Sequence, residues 1–292
     1  MRRKIVFAGL ILSLSGVAGW GADKPAVPTA GELYCAGTVT SEAVPQDTYV
    51  ITGEESNHRI TFDEGDYVYI NKGSDQGVKP GDEFSVIRHV YDSDPVQWSK
   101  WQTSILHQMG HVWEDEGRLK VVVARPDVSI AQINHSCDYV QRGDIVVPFT
   151  EMPAPALKSG EKFDRFAPPN GKSLAMVIVG RKFQQQVGNG DIIYVNLGNT
   201  QGVKVGDYFR IFRYQGTEHE TVYQTHRFAF DANGDWGPVY GFGRVPSKHN
   251  WENTPREVLG EGVVLRTGPN SSTVLITFIL REIFPGDYVE LE

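Results

Sequence analysis

The stretch Gly65 to Arg88 recurs without a gap as Gly190 to Arg213, and a chain that carries one unit twice is constrained to fold that unit twice. The first copy reads GDYVYINKGSDQGVKPGDEFSVIR and the second GDIIYVNLGNTQGVKVGDYFRIFR. Thirteen of these 24 positions are identical, far above chance, so the two halves descend from a duplication. Gly117 to Phe149 matches Gly260 to Glu292 more weakly, again without a gap. Its landmarks are Gly117/Gly260, Pro126/Pro269, Ser129/Ser272, Ile133/Ile276 and Gly143-Asp144/Gly286-Asp287. Each half is therefore a front block, a variable insert and a back block.

The front block reads as strand, tight connection, strand. Val68 and Ile70 alternate with Tyr67 and Tyr69, the period of a half-buried strand, and Phe84 and Val86 repeat it on the far side. Between them Gly73, Gly77 and Gly81 offer positions where positive φ is cheap, and Val78 and Val203 are placed to plug the core beneath each loop. A phosphate cradle needs a helix opening on Lys-Ser/Thr, and none follows these glycines. The back blocks predict strands over 119–124, 128–133, 263–266 and 273–279, with short terminal strands at 145–147 and 288–289. Five or so short strands per half predict a mainly β chain of two related small barrels or sandwiches, with one short helix in the first insert. A joint barrel built from both halves is the alternative.

The organisation predicted is a signal peptide over 1–22, an N-terminal segment over 23–46, a first module over 47–150, a Pro-rich linker over 151–172 and a second module over 173–292. Arg2, Arg3 and Lys4 precede an apolar run, Ile5 to Leu14, and a small-residue stretch, the layout of a secretory signal. Cleavage near Gly21 or Ala22 is expected. The rival, an uncleaved anchor, falls short of the ~20 apolar residues that span a bilayer. With the signal removed, 25 basic residues face 36 acidic ones, a net charge of −11, which disfavours nucleic acid and anionic membrane surfaces as partners. No later segment reads as a membrane span, so a periplasmic or secreted chain is expected. In such an oxidising compartment the two cysteines, Cys35 and Cys137, are most economically a disulfide, with two buried thiols as the alternative.

The strand-Gly-x-x-x-Gly-Val-Lys-x-Gly-Asp-x-Phe pattern resembles small β modules of bacterial envelope proteins. Examples are the C-terminal domain of the flagellar assembly protein T and modules that accompany LysM domains. The resemblance covers the two front blocks and, loosely, the back blocks, and implies a periplasmic, non-catalytic assembly or scaffold role. No LysM motif and no flagellar N-terminal region accompanies it, so neither a glycan ligand nor the flagellum is implied.

Three features compete for a functional site. The first insert, Pro95 to Gly110, reads as a helix with Trp98, Trp101, Ile105 and Met109 along one stripe, packed on its own barrel. His107 and His111 are four apart, as in zinc sites on helices, but Gly110 ends the helix between them and no third ligand is spaced to help, so no metal is expected. The second insert contains Asp231-Ala232-Asn233-Gly234-Asp235, which resembles the start of a calcium loop. Trp236 and Phe242 stand where that loop needs Gly and Glu, so a plain turn is the better reading. The insert 214–259 is rich in aromatics, and Tyr223, Phe228, Phe230, Trp236, Tyr240, Phe242 and Trp251 form a candidate contact surface for an envelope protein or a cell-wall glycan. No nucleophile elbow, zincin pattern or cofactor motif is present, and the acidic residues sit largely in Gly-Asp turns, where carboxylates accept backbone N–H groups. The sequence therefore points to no catalytic residue, cofactor or metal. An unrecognised hydrolase is the remotest alternative.

Overall fold

A computed structural model describes residues 26–95, 97, 99, 101–158, 163–214 and 255–292. Its strands are, in chain order, Thr38–Thr40 (β1), Val50–Gly53 (β2), Thr61–Phe62 (β3), Tyr67–Ile70 (β4), Glu83–Val90 (β5), His111–Ala124 (β6), Ser129–Ser136 (β7), Val140–Gln141 (β8), Ile145–Pro148 (β9), Leu174–Gly180 (β10), Ile192–Val195 (β11), Tyr208–Arg213 (β12), Glu257–Thr267 (β13), Ser272–Ile279 (β14) and Tyr288–Leu291 (β15). The α-helices among the described residues are Ala30–Tyr34 (α1) and Gln102–Met109 (α2). No described helix is long and apolar enough to cross a membrane.

The chain is mainly β, and each half forms its own sheet. The second half is a closed six-stranded barrel in the order β10-β11-β14-β13-β12-β15. The first is a seven-stranded sheet with the same order along its path, β2-β4-β7-β6-β5-β9, and β1 added on β6. Its two edges are drawn together by a bridge between Tyr49 and Ile145 and by the bonds from Val50 N to Asp144 O (2.9 Å) and from Val146 N to Thr48 O (2.9 Å). The repeat extends to single hydrogen bonds. Gly65 N donates to Ile133 O and Gly190 N to Ile276 O, while Val121 N donates to Asp82 O and Val264 N to Asp207 O. A joint barrel is thereby excluded.

The two cores match at six aligned positions. Val68, Ile70, Val78, Val86, Val121 and Ile133 fill the first, and Ile193, Val195, Val203, Ile211, Val264 and Ile276 fill the second. Val78 and Val203 are both buried, as plugs beneath the connecting loops must be. The front blocks differ in their outer faces. β4 buries every second residue, whereas all four residues of β11 are buried, because Ile192 and Tyr194 face a second layer outside the barrel. The replacement of Tyr67 by Ile192 is the sequence counterpart of that extra burial.

Several expectations need correction. The first-insert helix spans Gln102–Met109 and does not begin at Pro95. Trp101 precedes it at φ 67°, outside helical geometry, and its side chain is exposed; the helix packs not on its own barrel but on the outer face of the second, through Gln102, Ile105, Leu106 and Met109. Trp98 lies outside the described residues. Gly73 does not need positive φ: it sits at φ −133°, and a Cβ there would lie 2.0 Å from Arg125 O. Gly198 repeats that close approach, 2.4 Å from Gly268 O, so these glycines admit a neighbouring backbone while Gly77 (φ 88°) and Gly81 (φ 95°) make the turns. β2 and β10 supply a sixth strand per barrel that the repeat blocks do not contain. α1 was also unforeseen, although Thr29 and Glu32 form a capping box that the Thr-x-x-Glu spacing encodes.

Candidate functional site

The most heavily built region lies between the barrels and is organised by the N-terminal segment. α1 ends at Cys35, whose sulfur is bonded to Cys137 beyond β7, with the Cα atoms 5.3 Å apart. The predicted disulfide is thus present in the structure, and His135 Nε2 stands 3.4 Å from Cys35 Sγ. After α1 the chain crosses to the other barrel. Tyr194 Oη donates to Ala36 O (3.0 Å), Thr273 Oγ1 to Gly37 O (3.2 Å) and Ser271 Oγ to Val39 O. β1 then pairs with β6, from Thr38 opposite Trp113 to Thr40 opposite His111. Gly37 has φ 65°, and a Cβ there would meet Tyr194 Oη at 2.4 Å, so glycine is required by both conformation and space.

β6 contributes three consecutive buried carboxylates to this clamp, Glu114, Asp115 and Glu116. Glu114 pairs with Arg181 of the second half (3.0 Å) and accepts from Lys182 N (3.0 Å). Asp115 pairs with Arg266 (2.8 Å) and accepts from Gly37 N (2.8 Å). Arg266 also donates to Leu33 O (3.1 Å), so one guanidinium joins β13, β6 and α1. Lys182 and Asp138 form a further pair across the junction. Beside this polar network, Leu33, Ala36, Val39, Met109 and Val112 pack on Ile178, Ile192, Tyr194, Val263, Leu265 and Leu275, the outer face of the second barrel. Burial of each of the larger aliphatic side chains among them contributes about 1.5–3 kcal/mol.

Glu116 differs from its two neighbours. Its partner is Arg88 (3.3 Å), whose guanidinium is already engaged by Asp144 (2.8 Å), and Oε2 has no hydrogen-bond partner among the described residues. Burial pushes its carboxyl up to about 7. Arg88 opposes the rise, and the nearby charges of Asp144, Asp138 and Glu114 add to it. Burial also raises the Tyr194 phenol well above its ordinary value, so it stays a neutral donor to Ala36.

A cleft of about 440 Å³ opens at one end of the clamp. α2 and the ends of β5 and β6 form one wall, and Val179, Phe183, Gln184 and Pro285 form the other. His89, His107 and His111 all line it. His107 and His111 thus share a surface, as their spacing allows, but the ring nitrogen nearest His111 Nδ1 is His89 Nε2, at 3.2 Å. β5 and β6 bring this pair together: Val90 faces Val112 and His89 faces Trp113, so His89 and His111 are diagonal neighbours on one sheet face. Their rings meet edge to face at 4.9 Å, and Trp113 packs on His89 from the other side at 5.4 Å. The His89 imidazole is held below its ordinary pKa, chiefly by burial and also by His111. Gly110 does end α2, and a Cβ there would lie 2.0 Å from Thr40 O.

The carboxylates of the Gly-Asp turns are used as predicted. Asp66, Asp82, Asp144, Asp191, Asp207 and Asp287 each accept the backbone N–H three residues earlier. Arg88 with Asp144 and Arg213 with Asp287 form the same two-point pair in each barrel. The candidate contact residues Tyr223, Phe228, Phe230, Trp236, Tyr240, Phe242 and Trp251, and the Asp231–Gly237 turn, lie outside the described residues. At the edges of that insert, Tyr214 packs edge to face on Phe212 and Tyr288, and residues 257–259 belong to β13. The acidic triplet was missed at the sequence level, although three carboxylates between Trp113 and Gly117 in a strand-forming run are a readable sign of buried ion pairs. No protein-family model matches the chain, and no curated protein is significantly similar to it in sequence.

Proposed function

We propose that this chain is a non-catalytic, exported protein of the bacterial cell envelope, periplasmic or secreted, with a scaffold, assembly or protein-binding role. The observation that carries this reading is the clamp. Residues 29–40, with Glu114, Asp115, Arg181 and Arg266, join two barrels into one body through a covalent bond, buried ion pairs and an apolar layer. A rigid body of that kind suits a part that holds other components at a fixed spacing. The Cys35–Cys137 bond supports an oxidising compartment, and the resemblance of the front blocks to envelope modules supports the same placement. The glycines of the repeat serve turns and close backbone approaches and its aspartates cap turns, which accounts for them without chemistry.

The test offers the immobilised full chain, disulfide intact, to a soluble envelope extract and, separately, to purified cell-wall sacculi. Capture of a defined protein, reproduced with that protein purified, is the expected result. Retention by purified glycan alone would overturn the scaffold role in favour of a glycan-binding module acting through the 214–259 insert.

A further inference from the structure

We propose that His89 and His111 form a binding site for a divalent transition-metal ion of the zinc or copper class at the mouth of the inter-barrel cleft. The proposal goes beyond the scaffold role and does not depend on it. His89 Nε2 and His111 Nδ1 face each other at 3.2 Å. The contact is a hydrogen bond, so an ion takes the place of the proton between the rings, which moves to the other nitrogen of its imidazole; metal–nitrogen bonds of about 2.0–2.1 Å in tetrahedral geometry hold two such nitrogens about 3.3 Å apart, close to the spacing present.

The pair is built into the fold. Its two members come from adjacent strands whose register is set by Val90 opposite Val112, and Trp113 packs on His89 and limits its rotation. β1 pins the other strand, with Thr40 directly opposite His111. Both imidazoles are exposed to the cleft, which leaves an ion a path of entry and room for water in its remaining positions. His107, on the last turn of α2, lines the same cleft, but it does not join the pair in a three-ligand cluster among the described residues, so water fills the remaining positions. Imidazole nitrogen selects zinc, copper and nickel over magnesium and calcium.

The experiment titrates the untagged full chain with Zn(II) and, separately, Cu(II) by isothermal titration calorimetry. The expected result is one ion per chain, an affinity at least tenfold lower for His89→Ala and for His111→Ala, and no change for His58→Ala, an exposed histidine outside the cleft. Ring ¹⁵N spectra of the unmutated chain give a second readout that no folding defect can mimic: the resonances of His89 Nε2 and His111 Nδ1 shift first on addition of Zn(II). Absence of one-to-one binding, equal affinity in the two cleft variants and the parent, or ring shifts confined to other histidines would each overturn the proposal.

Discussion

Glu116 stands where the second barrel buries Leu259. Each is the extra residue of an equivalent β-bulge. Val86 and Ile87 face Gly117 and Asp115 across the first bulge, and Ile211 and Phe212 face Gly260 and Val258 across the second. Leu259 is part of its barrel's core, and the first barrel places its leucine instead at Leu119, where the second has Gly262. An ionisable group has thus been set at a position that its sibling fills with hydrocarbon, beside Arg88, Asp144 and the backbone of Cys137.

The protonation of Glu116 makes stability depend on pH. Its carboxyl titrates near 7 in the folded chain against an ordinary 4.5, so between those values the folded chain keeps a proton that the unfolded chain has released. Below pH 4.5 both states are protonated and the group contributes nothing; as pH rises to about 7 stability is lost, and above that the loss is constant. At 1.36 kcal/mol per unit the full effect is about 3 kcal/mol. Glu116→Gln is therefore expected to be more stable than the parent at pH 8, by about 1–3 kcal/mol, with the gap closing by pH 4.5. Urea midpoints of both proteins at the two pH values check this.

The glycines of the repeat are expected to fall into two classes. Gly73→Ala and Gly198→Ala drive a Cβ into a carbonyl oxygen of the facing turn and should cost well over 2 kcal/mol, in the range of overpacked interiors. Gly77→Ala and Gly202→Ala meet nothing within 4 Å and carry only the cost of positive φ, about 1–2 kcal/mol. Denaturant unfolding of the four variants checks the order.

Loss of the Cys35–Cys137 bond, which spans 102 residues, releases chain entropy worth about 4–5 kcal/mol in the unfolded state. The doubly substituted Cys35→Ser, Cys137→Ser chain is expected to unfold at markedly lower denaturant. Amide exchange of Gly37 and Val39 should quicken first, because they lie just beyond the released anchor.

Among the described residues, Arg266→Ala leaves Asp115 buried with the Gly37 N–H as its one remaining partner. The expected loss is about 2–3 kcal/mol, below the full penalty for a deeply buried pair because the guanidinium keeps some contact with solvent. Replacing Arg266 and Asp115 together by leucine should cost less than the sum of the single changes. A double-mutant cycle on thermal unfolding measures the difference.

The barrels were legible because the Gly-Asp turns and alternating apolar residues repeat at matched positions, and many of these matches are shared hydrogen bonds or core contacts. β2 escaped because Val50-Ile51-Thr52-Gly53 is too short to show a period, and the close approach at Gly73 was hidden because the facing turn is about 50 residues away in sequence. The clamp is a tertiary feature: nothing local to Glu114 or Asp115 announces Arg181 or Arg266. The His89–His111 pair was obscured by the helical spacing of His107 and His111, since the true neighbour is set by strand register, which a single sequence does not display.

The central claim, that two copies of one barrel are fastened into a single rigid body, is tested most directly by amide residual dipolar couplings. One alignment tensor is predicted to fit the strand amides of both barrels in the oxidised chain. Two tensors of different orientation or magnitude would show that the barrels move independently and would contradict the account.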